Sequence, residues 1–361
     1  MAPSCSSIEI RQALKTEILI GERKVGSDHP PLVMAEVGIN HEGDLDKAIQ
    51  CVEAAVEAEA ECIKFQCHIT EAEMIPTDMK PGEISDDRLW DIIKRCELTE
   101  EEEWRLKLRC DEKGILYLST PFSREAADRL DSFGVPAFKI GSGECNNLPL
   151  IEHVARWRKP VILSTGMNDI PSIARSVDVL KKNGCPFMIM HCTSMYPTPY
   201  ERVRLNAVPE LAGAFGVPVG LSDHSIGIYT CLGAVAVGAC VLEKHFTFSR
   251  SWPGPDIPIS IEPNELAELV RGSRAVWKAR GGHKSVLDEE QPVIDFAFAS
   301  VVSIRPIRRG EKFSLENTWV KRPGTGPIHA RDLNKVLGRL AKHDIEDAIQ
   351  IKPESVEAFT L

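Results

Sequence analysis

The stretch LVMAEVG at residues 32–38 is almost entirely apolar, yet it carries a glutamate, Glu36, near its end. A short run without a polar face is typical of a strand buried on both sides in a parallel sheet. Runs of the same kind recur as far as residue 247. They read CIKFQCH (62–68), LYLSTPF (116–122), AFKIGSG (137–143), VILSTGM (161–167), FMIMHCT (187–193), VPVGLSD (217–223) and VLEKHFT (241–247).

Segments with helical spacing separate these eight runs. DLDKAIQCVEAAVEAEA starts at Asp44, a suitable N-cap, while SREAADRLDSFG and IPSIARSVDVLKKNG end at Gly134 and Gly184, which suit helix ends. EPNELAELVRGSRAVWKARGG closes the series as a last helix. Eight strand–helix units in about 250 residues predict an α/β fold, the (β/α)8 or TIM barrel. The alternative, a doubly wound open sheet, usually has fewer strands.

The pattern changes near residue 281. We predict a barrel domain over 17–281, a linker over 282–299 and a small β-rich domain over 300–361, where SVVSIRPI, WVKRPG and AIQIKP suggest short strands. A domain of roughly 60 residues has a marginal core of its own, so docking on a barrel or on a partner subunit would help it.

Composition excludes several classes of protein. The 361 residues carry a net charge of −10, which argues against nucleic acid or a membrane surface as a partner. The N-terminus lacks the apolar stretch of a signal peptide, and the longest apolar run, CLGAVAVGACVL, is too short to span a bilayer. The 11 cysteines include no CxxC pair and suggest reduced thiols. We expect a cytoplasmic protein.

Polar residues crowd the ends of the predicted strands. Catalytic residues of TIM barrels lie at these carboxyl ends. Strand alternation puts Lys64 with Gln66, Ser222 with His224, and Glu243 with His245 on shared faces. The full set is Glu36, Lys64, Gln66, Thr120, Lys139, Ser142, Ser164, His191, Thr193, Ser222, His224, Glu243 and His245.

Lys64 and Lys139 each interrupt an apolar run, in CIKFQ and AFKIG. A strand-end lysine is often a surface residue whose amine reaches water. A lysine inside a buried strand, however, needs an anion or a carboxylate. With hydroxyls nearby, the two lysines suit a phosphate or carboxylate ligand. The chain has no GxxxxGK[ST] loop, so this is not a P-loop nucleotide site.

His224 and His245 end two consecutive runs, in GLSDHSIG and VLEKHFT. Either is by itself an ordinary polar residue at a strand end. Two at the functional end of adjacent strands favour an open metal site, completed by water and substrate. Cys67, Cys145 and Cys192 lie near this end, but no sequence cue marks them as nucleophiles, and buried structural thiols are commoner.

The ordered motifs of the chain resemble those of the sialic acid synthases, specifically the bacterial N-acetylneuraminate synthase type. These motifs are EVGINHEGDL, STPFS, KIGSGECNN, ILSTGM, HCTSMYPTPYE, GLSDHS, LEKHFT and PGPD. FAFASVV, WVKRPGTG and LGR resemble that family's C-terminal antifreeze-like (SAF) domain. The resemblance implies condensation of phosphoenolpyruvate (PEP) with N-acetylmannosamine, releasing phosphate, in a domain-swapped homodimer that uses Mn²⁺, Mg²⁺ or Co²⁺.

The resemblance also implies a role for each matching residue. His224 and His245 match the metal ligands, and Glu36 matches a catalytic carboxylate. Arg322 matches an arginine that the small domain places on the sugar's acyl group across the dimer. The PEP-binding positions are Lys64, Thr120, Lys139, Ser142, Ser164, Ser194 and Ser222. The remaining sugar-binding positions are Gln66, Glu144, Tyr196 and Asp256.

Other functions remain open at this level. The same condensation with a diacetamido-trideoxy hexose would give legionaminic or pseudaminic acid. A phosphorylated sugar is disfavoured because the chain has no second basic cluster. An inactive carbohydrate-binding scaffold, or an aldolase that forms a Schiff base on Lys64 or Lys139, would be a different class of protein.

Overall fold

The computed structural model describes residues 17–82 and 85–360, which form two compact units that divide between Gly281 and Gly282. The strands are β1 (Glu17–Ile20), β2 (Arg23–Gly26), β3 (Leu32–Gly38), β4 (Cys62–Cys67), β5 (Leu116–Pro121), β6 (Phe138–Ile140), β7 (Val161–Ser164), β8 (Phe187–Cys192), β9 (Val219–Asp223), β10 (Val241–His245), β11 (Ser300–Ser303) and β12 (Thr318–Lys321).

Helices follow nearly every strand of the first unit. They are α1 (Leu45–Glu57), α2 (Thr70–Glu73), α3 (Leu89–Cys96), α4 (Glu100–Lys113), α5 (Arg124–Ser132), α6 (Leu148–Ala155), α7 (Ile170–Lys182), α8 (Tyr200–Val203), α9 (Ala207–Phe215), α10 (Tyr229–Ala236) and α11 (Pro263–Ala279), with α12 (Gln291–Ala297) and α13 (Leu333–Val336) in the second unit. Among the described residues, no helix has the length and apolarity that crossing a membrane requires.

Strands β3 to β10 form one parallel sheet in the order β5-β4-β3-β10-β9-β8-β7-β6. The end strands β5 and β6 also lie side by side, so the sheet curls into a barrel. Each of the eight apolar runs contains one of these strands, and the predicted TIM barrel is confirmed. Asp44 caps α1 by accepting from the backbone N–H groups of Asp46 and Lys47, and Gly134 and Gly184 adopt positive φ after α5 and α7, as predicted.

Two apolar layers surround the strands. The outer layer joins the barrel to its helices and includes Val37, Phe65, Leu106, Ile189 and Leu266. The inner layer fills the end of the barrel at which the strands begin, with residues such as Met34, Leu118 and Met188. The antiparallel hairpin β1–β2, which sequence patterning did not predict, contributes Ile20 and Val25 to this inner layer. Apolar packing therefore occupies the end of the barrel at which the strands begin. The polar residues that point inward lie at the end where the strands finish.

The second unit has its own apolar core. Val301, Ile307, Phe313, Ile328 and Val336 are buried together, and β11 pairs with β12 in antiparallel fashion. A linker was predicted over residues 282–299. This segment contains α12 and belongs to the second unit. The acidic run at 288–290, which reads as linker, precedes the helix, where negative charge favours its N-terminus.

Candidate active site

Lys64 lies inside the barrel on β4, where it is almost fully shielded from water. Its Nζ is 2.6 Å from Oε2 of Glu36 on the neighbouring strand β3. The same amine donates to Oγ1 of Thr120 on β5 at 3.0 Å. A carboxylate and a hydroxyl from the two flanking strands therefore compensate the buried charge.

Lys139 repeats this arrangement on the other side of the barrel. Its Nζ donates to Oγ of Ser164 at 2.8 Å and lies 3.1 Å from Oε2 of Glu243. Ser222 donates to the other oxygen of Glu243 at 2.8 Å. Two lysines, two carboxylates and three hydroxyls from seven strands thus converge in one buried, overall neutral cluster.

The two carboxylates have opposite electrostatic environments. Burial raises the pKa of Glu36 to about 7, reinforced by the charge of Glu243 and opposed by Lys64. Burial also disfavours ionisation of Glu243, but Lys139 and Lys64 outweigh it and lower its pKa to about 2. Glu243 is therefore a fixed anion near neutral pH, whereas Glu36 is poised to exchange a proton.

The pKa values of the two lysines are also shifted in opposite directions. Burial opposes the charge of Lys64, but Glu36 and Glu243 overcome it and raise the Lys64 pKa above its ordinary value. For Lys139 burial dominates, assisted by the charge of Lys64, and its pKa is lowered. An anionic ligand between the two amines would favour the charged form of both.

Hydroxyls also converge on Gly166, two residues after β7. Its backbone N–H donates to Oγ of Ser142 at 3.0 Å. A Cβ at Gly166 would lie only 2.3 Å from Oγ of Ser194 and 2.8 Å from Oγ of Ser142. The absence of a side chain at this position therefore lets the two serines approach each other beside the lysine cluster.

His224 and His245 face each other across the mouth of the barrel, with ring centroids 5.3 Å apart. Tyr196 packs on His224 with a centroid distance of 4.2 Å. The Nδ1 of His224 lies 3.1 Å from the backbone oxygen of Thr193. A carbonyl oxygen only accepts, so Nδ1 carries the hydrogen and the lone pair is on Nε2.

These imidazoles fit a divalent metal ion. Nδ1 of His245 is buried without a hydrogen-bond partner among the described residues, as expected of a nitrogen awaiting a ligand. The backbone carbonyl of Thr193, which accepts from Nδ1 of His224, orients that ring as in many metal sites. Within 17–82 and 85–360, no group of three or more His, Cys, Asp or Glu side chains is arranged to hold a metal. A metal ion at this place would thus have two histidines as donors, with positions left for water or substrate.

Asp256 and Gln66 complete the wall near these histidines. Oδ2 of Asp256 is 3.7 Å from Nδ1 of His245, and burial raises the Asp256 pKa to about 6. Gln66 donates to Oε1 of Glu36 at 3.2 Å. A Cβ at Gly38 would meet Glu36, Gln66 and Asp256 within 3.6 Å, so the three polar groups surround one small gap.

A protein-family model of the NeuB family matches residues 51–285, which is most of the first unit. The chain belongs to the NeuB family. A SAF-domain model matches residues 298–357 in the second unit. The assignment to the sialic acid synthases from sequence is confirmed, and the protein is an enzyme, a transferase of that family.

Similar proteins cover nearly the whole chain. An uncharacterized protein of Methanocaldococcus jannaschii is 43% identical, over 92% of this chain and 96% of its own. The N,N'-diacetyllegionaminic acid synthase of Campylobacter jejuni is 39% identical, over 88% and 97%. A solved N-acetylneuraminic acid synthetase of Leptospira borgpetersenii, in complex with citrate, is 36% identical with a TM-score of 0.72, over 78% of this chain and 96% of that one.

Three further residues singled out from the sequence have other surroundings in this NeuB-family chain. Glu144, in the 3-10 turn after β6, accepts from Asn147 and is half-buried. Arg322 is exposed in the SAF unit. His191 points away from the barrel interior and bonds the backbone oxygen of Val203 at 2.6 Å. The alternation of β8 sends His191 outward and brings Cys192 inward instead.

The cysteines of the described residues are, with the exception of Cys192, poorly suited to act as nucleophiles. All ten in the described residues are buried and unpaired. Burial raises the Cys67 pKa well above its ordinary value and the Cys145 pKa to about 11. Burial opposes ionisation of Cys192 as well, but His224, 3.8 Å from its sulfur, overcomes this and lowers the Cys192 pKa. Cys192 therefore belongs to the surroundings of His224.

Sequence reasoning missed the polar groups behind the site. Lys244 and Asp223 point outward beside the two histidines and pair with each other. Asp223 also accepts from the hydroxyls of Ser225 and Thr230. Glu243 was named as a strand-end residue but given no role, although it holds Lys139 and Ser222. The alternation of charged residues in LSDHS and LEKH is the only signal that the sequence offers for this arrangement.

Proposed function

We propose that this NeuB-family enzyme condenses PEP with the open-chain form of an N-acetylated hexose, yielding a nine-carbon 2-keto acid and inorganic phosphate. The observation that carries this proposal is the pair of buried lysines, each held between a carboxylate and a hydroxyl, beside two facing histidines. Lys64 and Lys139 supply positive charge for a substrate that has both a carboxylate and a phosphate. Ser142, Ser164, Ser194, Ser222 and Thr120 offer hydroxyl donors to the same anions.

Carbon 3 of PEP attacks the aldehyde carbon, and the aldehyde oxygen takes up a proton. Carbon 2 of PEP then carries positive charge, and water adds there. The resulting tetrahedral carbon loses phosphate and becomes the ketone. Glu36, whose pKa is about 7, is suited to stabilise that charge and to accept the proton of the water.

His224 and His245 would hold a divalent ion, most suitably Mn²⁺, with Mg²⁺ or Co²⁺ as alternatives. When bound, such an ion polarises the aldehyde oxygen and aligns the two reactants. Tyr196 and Asp256 line the same mouth of the barrel and would bind the sugar with Gln66 and Glu144. The raised pKa of Lys64 keeps its amine protonated and disfavours a Schiff base there. Burial lowers the pKa of Lys139, so Lys139 is the lysine at which trapping would detect the aldolase.

The sugar is either N-acetylmannosamine, which the motifs favour, or a diacetamido-trideoxy hexose, which the 39% identity to a legionaminic acid synthase favours. We propose further that the enzyme acts as a domain-swapped homodimer, in which Arg322 of one copy contacts the acyl group in the other. The exposure of Arg322 supports this arrangement.

The test is phosphate release from PEP by metal-stripped protein, with each sugar offered in parallel and Mn²⁺ added back. Metal-dependent release with one sugar establishes the reaction and the product. Release with neither sugar, under conditions where the protein is folded, would overturn the proposal and favour a binding scaffold. Trapping with pyruvate and borohydride would instead establish the aldolase.

A further inference from the structure

His68 follows β4 directly, and its buried ring, 4% exposed, lies between two polar side chains. Its Nε2 is 3.0 Å from Oε1 of Gln66, and its Nδ1 is 2.9 Å from Oε2 of Glu73 on α2. The ring stacks on Phe122, with centroids 4.6 Å apart and planes inclined by 11°. Phe122 and Glu73 therefore fix both the plane and the rotation of the imidazole.

The acceptors around this chain of hydrogen bonds fix its direction. Gln66 lies 3.2 Å from a carboxylate oxygen of Glu36 through its Nε2, so its amide nitrogen is the donor there. Its amide oxygen then faces His68 and must accept from Nε2–H. Glu73 likewise accepts from Nδ1–H. Both ring nitrogens of His68 thus face acceptor oxygens, one of Gln66 and one of Glu73.

We propose that His68 and Glu73 are positioning residues, which set the orientation of the Gln66 amide and thereby what Gln66 offers to Glu36 and to the sugar. This inference rests on the proposed function, in which Gln66 and Glu36 line the reacting centre. In the orientation imposed by His68, the amide nitrogen of Gln66 donates one hydrogen to Glu36 and keeps the other for the substrate. It therefore selects a sugar that presents an acceptor oxygen at this point. A reversed amide would set oxygen against oxygen at Glu36.

Two variants of His68 each keep one N–H donor of the imidazole and remove the other. The amide nitrogen of glutamine superposes on Nε2 of histidine, and that of asparagine superposes on Nδ1. H68Q therefore keeps the donor to Gln66, whereas H68N loses it and keeps the donor to Glu73. H68F keeps the stack on Phe122, loses both donors and replaces H68N if that variant does not fold.

We expect H68N and H68F to lower kcat/KM for the sugar by about ten- to hundredfold, because the partly buried amide oxygen of Gln66 is left unpaired. The KM for PEP should stay nearly unchanged, and H68Q should recover most of the activity. Independently of turnover, the side-chain amide resonances of Gln66, identified by their loss in Q66E, should shift in H68N and H68F but not in H68Q.

Equal behaviour of H68N and H68Q in both measurements would overturn the proposal, since packing alone would then explain His68. If the wild-type protein releases phosphate with neither sugar, the proposed function fails, but the resonances of Gln66 still decide whether His68 orients it.

Discussion

Asp223 and Lys244 form an ion pair of 2.8 Å in which neither side chain is measurably exposed to solvent. The two residues are register partners on the parallel strands β9 and β10. Each is followed by one of the two histidines that face each other inside the barrel. The pair thus joins the two strand ends from the outside, where Lys244 also donates to the backbone oxygen of Ser225.

Replacing Lys244 by methionine should lower the free energy of unfolding by about 3–5 kcal/mol, because the Asp223 carboxylate remains buried without its cation. Urea titration of the wild type and K244M measures the difference. The double variant D223N/K244M removes both charges and should recover part of the loss. A double variant less stable than K244M would contradict this account.

Alanine at His224 or His245 should abolish tight Mn²⁺ binding, because each substitution leaves a single imidazole. Titration followed by electron paramagnetic resonance of free Mn²⁺ measures the affinity without any substrate. H191A is the matched control, since His191 is buried but faces away from the site. Equal loss of affinity in H191A would mean that the metal binds elsewhere.

Methionine at Lys64 or Lys139 should weaken PEP binding by about a hundredfold, since each change removes a charge-assisted contact of roughly 1.5–3 kcal/mol and leaves a buried carboxylate unpaired. Isothermal titration with PEP gives the affinity directly. K182M alters an exposed lysine at the end of α7 and should bind PEP normally. Undiminished binding by both barrel variants would place the PEP site elsewhere.

The pKa of Glu36 should be visible in the pH profile of kcat/KM, which reports the free enzyme. The proposed role requires the carboxylate, so activity should rise with pH through an apparent pKa of about 7. E36Q should be far less active and lack this rise. A profile that falls through the same range would assign Glu36 as an acid instead.

Glu36 should also make the stability of the protein depend on pH, with the opposite sign to its effect on activity. Folding raises the Glu36 pKa from 4.5 to about 7, so the folded state binds the extra proton between these values. The free energy of unfolding should therefore fall as the pH rises from 5 to 7. E36Q should show a weaker dependence in urea titrations at these two pH values. An unchanged dependence in E36Q would assign the effect to another group.

The barrel was predictable because strands buried on both faces leave continuous apolar runs, and the buried lysines stood out against them. The hairpin β1–β2 was not predictable, because its two strands have four residues each, are partly exposed and leave no clear alternation. The role of His68 depends on three partners from separate elements, which no local pattern reveals. Similarly, the sequence places Asp223 and Lys244 outward but does not show that they meet.

Gly166 determines how closely the hydroxyls around it can gather. A methyl group there would collide with Ser194 and approach Ser142 and Cys192 within 3.1 Å. A side chain at this position would therefore turn the hydroxyls of Ser194 and Ser142 away from the space that they now share. The smallest residue of the chain thus sets the spacing of two hydroxyl groups that lie on separate loops.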